Sequence, residues 1–246
     1  SSLPSADEIR QRRPNLATQV FDRHGKLLAR LFQEDRIWVP FDKISPWMLK
    51  AILAAEDSSF YEHSGVRPFA ILRSLLTGDR GHGASTITQQ LARNLFLSRE
   101  TTMERKAKEA LLAFRLEKVL TKEQILEMYL NTIYFGHGAW GIGAAARVYY
   151  NKTAEHLNLG ESSMLAGIVA APEKYSPRRA PELAANRQSY VLRRMVDEGF
   201  ISPADATQVK ETPLKLTKLS KSGLESSSAP YFVSHVLFKH LLPKYG

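Results

Sequence analysis

Cysteine is absent from the 246 residues, which removes disulfide scaffolds, thiolate metal sites and cysteine nucleophiles together. The seven histidines show no metal-ligand spacing. No long apolar run occurs either. The longest stretch without Asp, Glu, Lys or Arg, Met128–Ala146, contains Asn131, His137 and four glycines, and makes a poor membrane-spanning helix. The chain is therefore either soluble or the part of a protein that follows an anchor, and composition does not choose between these. Glycine (14) and proline (12) are aperiodic, which excludes collagen-like and low-complexity classes, and there is no internal repeat. Acidic residues are in deficit, 25 against 34 basic ones, for a net charge of +9. A pI near 9.7 predicts an anionic partner: nucleic acid, an acidic membrane surface or a phosphorylated substrate. What is present, 43% apolar and 24% charged residues, is enough for one sizeable core, in one body or two lobes.

Ser1–Asn15 is polar and reads as a linker. Ala17–Phe21 and Lys26–Phe32 read as short strands joined by the turn Asp22–Gly25, and Ile37–Phe41 as a third. Beyond that point the pattern is helical. Ser45-Pro46 combines an N-cap with proline at the first helical position and opens a helix to about Ala55. Thr121–Gln124 and Asn158–Glu161 have capping-box form, and Ser202-Pro203 repeats the Ser-Pro start. Met103, Ala107, Ala110, Leu111 and Phe114 form an apolar stripe at helical spacing. Breaks fall at Gly78–Gly83, Gly136–Gly143 and Pro172–Pro181, and Lys215–Ser228 is polar and Ser-rich, like a connection between domains. The expected architecture is mainly α with a small N-terminal β element.

Four stretches carry chemistry. Glu56-Asp57 follows the Ser45-capped helix, whose negative end, with partial burial, favours the protonated form of Glu56 and suits a general base. The same pair also suits a solvated turn. Gly83–Asn94 sets three hydroxyls (Ser85, Thr86, Thr88) and two amides (Gln89, Gln90) within six residues, followed by Arg93 and Asn94. That set matches a sugar or phosphate, and equally a capped helix start. Between Arg99 and Lys122 the basic residues are interleaved with four glutamates; Lys118 and Lys122 read as solvated ion pairs, whereas Arg105-Lys106-Ala107-Lys108 is dense enough to bind pyrophosphate. The cluster lacks the interleaved aromatics of a nucleic-acid site. Glu127 stands in an apolar helical turn and requires an Arg partner, a hydrogen-bond network, or a catalytic or metal-binding role. Val66–Leu76, with Arg67 and Arg73 as its only charges, reads as an interfacial amphipathic segment or as core.

Taken in order, Glu56-Asp57-x-x-Phe60-x-x-His63-x-Gly65, Gly83-x-Ser85-Thr86-Ile87-Thr88-Gln89-Gln90, Arg105-Lys106-x-Lys108-Glu109, Ile125-Leu126-Glu127-x-Tyr129-Leu130-Asn131 and Gly136–Tyr150 resemble the peptidoglycan glycosyltransferases of glycosyltransferase family 51. These are the polymerase domains of class A penicillin-binding proteins and their monofunctional relatives. The resemblance covers roughly Ala17–Phe200. Arg93 stands where the family usually has Lys, and Tyr150-Asn151-Lys152 replaces the commoner Phe-Gly-Lys.

The resemblance implies a lysozyme-like two-lobed fold over 16–214, with 1–15 as a linker after a removed membrane anchor and 215–246 leading to a missing transpeptidase domain. It implies lipid II and a nascent glycan strand as substrates, the outer leaflet of the cytoplasmic membrane as the surface, and no nucleic acid. It assigns Glu56 as the base. Arg93, Arg105, Lys106 and Lys108 are implied to meet the pyrophosphate, assisted by a divalent ion such as Mg²⁺. Glu127 is implied to orient the basic residues, hold the metal or support the donor site. Asp57, Phe60, His63, Ser85, Thr86, Gln89, Gln90 and Asn94 fall at the substrate-binding positions, with Phe60 and His63 equally suited to supporting the Glu56 loop. Two other classes compete: a lysozyme-like hydrolase or lytic transglycosylase, and a non-catalytic membrane-surface module.

Overall fold

The helix starts are written locally and fold as written. In the computed structural model, which describes residues 4–5, 8–9, 18–21, 27–31, 35–67, 85–97 and 103–218, Ser45 accepts the Trp47 N–H and Pro46 opens α1 (Pro46–Glu56). Reciprocal capping boxes start α2 (Ile87–Phe96, from Thr86 and Gln89), α4 (Lys122–Thr132, from Thr121 and Gln124), α6 (Leu159–Ile168, from Asn158 and Glu161) and α8 (Pro203–Glu211, from Ser202 and Asp205). The others are α3 (Met103–Val119), α5 (Ile142–Tyr150) and α7 (Pro181–Asp197). In α6 every residue from Glu161 to Ile168 is buried, as befits a central helix; α1 and α7 pack on it, while α2 packs on α3 and α4. The protein is mainly α.

Strands β1 (Thr18–Phe21) and β2 (Leu27–Leu31) pair antiparallel, with Thr18 opposite Leu31. The turn expected at Asp22–Gly25 lies outside the described residues. The third expected strand, Ile37–Phe41, is not one. Instead β3 (Asp35–Arg36) pairs in parallel with β4 (Ala139–Trp140), and Phe41–Lys43 is a turn of 3₁₀ helix. The reason is a side chain that takes over the backbone. Asn131 accepts the Val39 N–H and donates to the Val39 carbonyl, both at 2.8 Å, so this residue's ladder positions are filled. Gly143 lets the segment come close: a Cβ there would lie 2.6 Å from the Ile37 carbonyl oxygen.

Three further expectations need correction. The apolar stripe on α3 does not face the core: Leu111 is 54% and Phe114 42% exposed, and Ala107 is exposed too, whereas Glu109, Leu112, Ala113 and Leu116 are buried. Two faces of α3 carry apolar residues at helical spacing, and the Leu112–Leu116 face makes the contact. Ser1–Asn15 is not wholly a free linker. Ser5 and Glu8 cap one another, Arg115 donates to the Pro4 carbonyl, and Ile9 has no exposed surface. Of the stretch read as a connection, Lys215–Ser228, the described part, 215–218, lies against the body: Leu216 packs on the core beside Leu214, and the Thr217 N–H bonds the Tyr149 carbonyl at 2.8 Å. Of Val66–Leu76 only Val66 (buried) and Arg67 (half-buried) are described. Among the described residues no helix is long and apolar enough to cross a membrane.

Candidate active site

The loop after α1 is organised by Asp57. Its carboxylate has no exposed surface and accepts the first backbone N–H of α2, at Ile87 (3.0 Å), and the His63 Nε2 (2.9 and 3.0 Å), with Arg67 Nε at 3.8 Å. His63 Nδ1 accepts the Gly65 N–H at 3.1 Å, which leaves the ring proton on Nε2, donated to Asp57. Thr86 Oγ1 donates to the Gly65 carbonyl at 2.6 Å. Gly65 has φ +89° and a Cβ would lie 2.9 Å from the Ala113 carbonyl oxygen, so the loop seats on α3 only through glycine. Phe60 is fully buried beneath it, edge-on to His63, with the Lys122 ammonium 4.3 Å from its ring centre. Lys122 also donates to the His63 carbonyl (2.6 Å) and to Glu117 Oε1 (2.8 Å), which takes the Thr88 hydroxyl as well.

These contacts give several of the candidate residues a place in the frame of the site, as the supporting role read for Phe60 and His63 anticipates. Asp57, Phe60, Thr86 and Gln89, expected at the substrate, are buried and hold the loop and the α2 cap in place. His63 is the clasp between them. Lys122, read as a solvated charge, is the third fastener.

Glu56 is half-buried at the last position of α1. Its Oε2 accepts the Gln90 amide N–H at 2.9 Å, and among the described residues Oε1 has no hydrogen bond. Gln90 Oε1 in turn accepts the Tyr129 hydroxyl at 3.0 Å. Burial, reinforced by the Glu56 charge, pushes the Tyr129 phenol well above its ordinary range, so it stays a donor. Arg93, half-buried, lies one turn beyond Gln90 on α2 and acts on the same phenol, whereas Asn94 is exposed.

The cationic stretch has an acid inside it. Glu109, with no exposed surface, accepts Arg105 Nη1 at 2.8 Å and Lys106 Nζ at 2.6 Å, and Lys106 also donates to Ser85 Oγ at 2.7 Å. Two cations therefore share one anion, leaving one net positive charge, and 41% of the Lys106 side chain is open to water. Sequence reasoning passed over Glu109, though it closes the Arg105-Lys106-x-Lys108-Glu109 block. Lys108 is set apart from this pair, on an exposed ion pair with Glu104.

Glu127 is satisfied by the 38–41 segment: Oε1 accepts Trp38 Nε1 and Oε2 accepts the Phe41 N–H, each at 2.9 Å. Of the explanations for an acid in an apolar turn, the described residues supply a hydrogen-bond network. As a metal ligand it fits poorly, since both oxygens are occupied, and among the described residues no three His, Asp or Glu side chains could hold an ion.

On a mainly helical body, the described residues thus include a half-buried carboxylate with one oxygen free of hydrogen bonds and a cation pair held around a buried acid. The chain belongs to the transglycosylase family, whose model matches residues 24–196. It is 42% identical to penicillin-binding protein 1A of Escherichia coli over 99% of this chain and 29% of that protein. It is 41% identical to penicillin-binding protein 1A of Aquifex aeolicus over 100% of this chain and 34% of that one. A crystal structure of penicillin-binding protein 1A from Haemophilus influenzae matches 94% of this chain and 25% of that one, at TM-score 0.52 and 20% identity, and supports the fold. The chain thus spans about a third of the length of these relatives. The resemblance to the glycosyltransferase domain of class A penicillin-binding proteins holds.

Proposed function

We propose that this chain polymerises peptidoglycan. The growing glycan, on its undecaprenyl pyrophosphate, is the donor, and the GlcNAc 4-hydroxyl of lipid II is the acceptor. Glu56 takes the hydroxyl proton as the oxygen attacks the anomeric carbon. The bond from that carbon to the pyrophosphate breaks, and undecaprenyl pyrophosphate leaves with the electron pair. Attack opposite an α-linked leaving group gives a β-1,4 bond with inversion, so no covalent intermediate on the protein is needed. A pyrophosphate leaves without a proton, which replaces a glycosidase's general acid by cations. Arg93, Arg105 and Lys106 are the cations this reading uses, with Lys108 left to the surface.

The observation that carries the proposal is the difference between the two glutamates. Among the described residues Glu56 keeps one oxygen open beside Gln90, whereas Glu127 spends both on the 38–41 segment. Glu127 therefore supports the site's frame. Mg²⁺ enters this reading as a companion of the substrate's phosphates, since the described side chains offer it no seat, and no step runs through it. The same reading places the domain at the extracytoplasmic face of the cell membrane, beside a transpeptidase domain of the longer protein.

The test is turnover of labelled lipid II, in detergent with Mg²⁺, by the native chain and by Glu56→Gln. Long glycan strands from the native chain and a loss of at least about 100-fold in the variant are expected. Survival of lipid II with cleavage of preformed peptidoglycan would replace the polymerase by a hydrolase.

A further inference from the structure

The sequence offered Tyr129 only as a member of the Ile125–Asn131 block and gave it no role, yet with Tyr149 it is the largest of the fully buried side chains among the described residues, and its hydroxyl has one assigned use. It donates to Gln90, whose amide donates to Glu56. From this chain of contacts we infer that Tyr129 is a positioning residue for the base: its buried hydroxyl fixes the direction of the Gln90 amide, and thereby keeps an N–H donor, rather than a carbonyl, against Glu56. The inference rests on the reading of Glu56 as base and adds a residue to it.

The physical argument is one of alternatives. An amide has two faces, and a half-turn exchanges its donor and acceptor ends. Reversed, Gln90 would set a carbonyl oxygen against the Glu56 carboxylate, two acceptors with no proton between them. At the other end its NH₂ would meet the phenol oxygen, leaving the Tyr129 hydrogen buried without an acceptor. An unsatisfied buried donor is costly, whereas the observed direction satisfies both ends. Gln90 alone, half-buried on α2, would have no such preference when Glu56 carries a proton. Tyr129 holds the direction in both charge states, so the donor is in place when the acid has passed its proton on and is a carboxylate again.

The surroundings contain the charges that compete. Asp57 lies next along the chain from Glu56 but is spent on Ile87 and His63. Arg93 of α2 acts on the same phenol. From α7, Arg194 touches the loop at Ser58, at 3.4 Å, and pairs with Asp197 and Glu198 of its own end, and Glu161, the one titratable side chain of α6, is tied to Lys152. Among the described residues Gln90 is the hydrogen-bond donor to Glu56.

The experiment is Tyr129→Phe, which removes one oxygen and keeps the ring. With lipid II as substrate, kcat is expected to fall on the order of 3- to 10-fold with KM little changed, and the acid limb of the rate–pH profile to move to higher pH, because Glu56 loses its assured donor. In a Gln90→Leu background the same substitution should add nothing, since the amide through which it acts is gone. A purely structural tyrosine would lower the melting temperature, leave the pH profile in place and be additive with Gln90→Leu; that result overturns the inference. Should Tyr129→Phe not fold, 3-fluorotyrosine at position 129 keeps the hydroxyl, and its ¹⁹F resonance is expected to titrate with the acid limb and to stop doing so in Glu56→Gln. A resonance indifferent to Glu56 would also overturn it. Full turnover by Glu56→Gln would instead remove the base reading itself, a separable outcome.

Discussion

At the scale of single residues, the site is a set of acids with divided duties. Asp57 is wholly enclosed and binds the protein to itself, Glu127 fastens a segment, Glu109 neutralises a cation pair, and Glu56 alone has an oxygen to spare among the described contacts. The cost of removing each should differ accordingly. Glu109→Gln strands Arg105 and Lys106 side by side without their anion. A fully buried pair broken in this way costs several kcal/mol, and the 41% exposure of Lys106 reduces that to about 2 kcal/mol, read as a lower urea midpoint. Added salt should recover part of the loss. The four acids could not be sorted from the sequence, because each stands in a motif and the distinction lies in which distant atoms meet it.

At the scale of elements, what could be read was what is local. The capping boxes at Thr121 and Asn158 and the Ser-Pro start at Ser202 span four residues or fewer and involve no other part of the chain, so they fold as their sequence proposes. The Ile37–Phe41 strand failed because its backbone partner is a side chain more than ninety positions away, Asn131. The α3 stripe failed because periodicity gives spacing and not direction. One departure from the family pattern is explained at this scale. Asn151 ends α5 in the left-handed conformation, φ 55° and ψ 40°, where the commoner family residue is glycine. Asparagine is among the few side-chain residues that accept that conformation readily. Asn151→Ala is therefore expected to destabilise by about 1 kcal/mol, lowering the melting temperature by about 2–4 °C, while Asn151→Gly stays within about 0.5 kcal/mol of the native chain.

At the scale of the whole molecule, the site was legible as a set of blocks and illegible as a mechanism. The five motifs put forward Glu56, Gln90 and the Arg105–Lys106 pair as candidates, and the structure gives each its contacts. They could not show that Asp57, Phe60, Thr86 and Gln89 face inward, nor that Tyr129, Trp38, Lys122 and Glu109 are needed to hold the rest, since these are through-space relations between α1, α2, α3 and α4. Asp57 is where those relations converge: one carboxylate reaches the loop after α1, through His63, and the opening residue of α2, through Ile87. Amide protons in the first turn of a helix usually exchange with solvent quickly, for want of an intrahelical partner. The Ile87 proton should instead be among the slow ones, exchanging only when the loop and α2 come apart together. In Asp57→Ala its protection is expected to collapse, while that of the α6 interior is little changed, and deuterium exchange followed by NMR would read both at once. Base loop and cation-bearing helix would then be a single opening unit, with one clock for the pair.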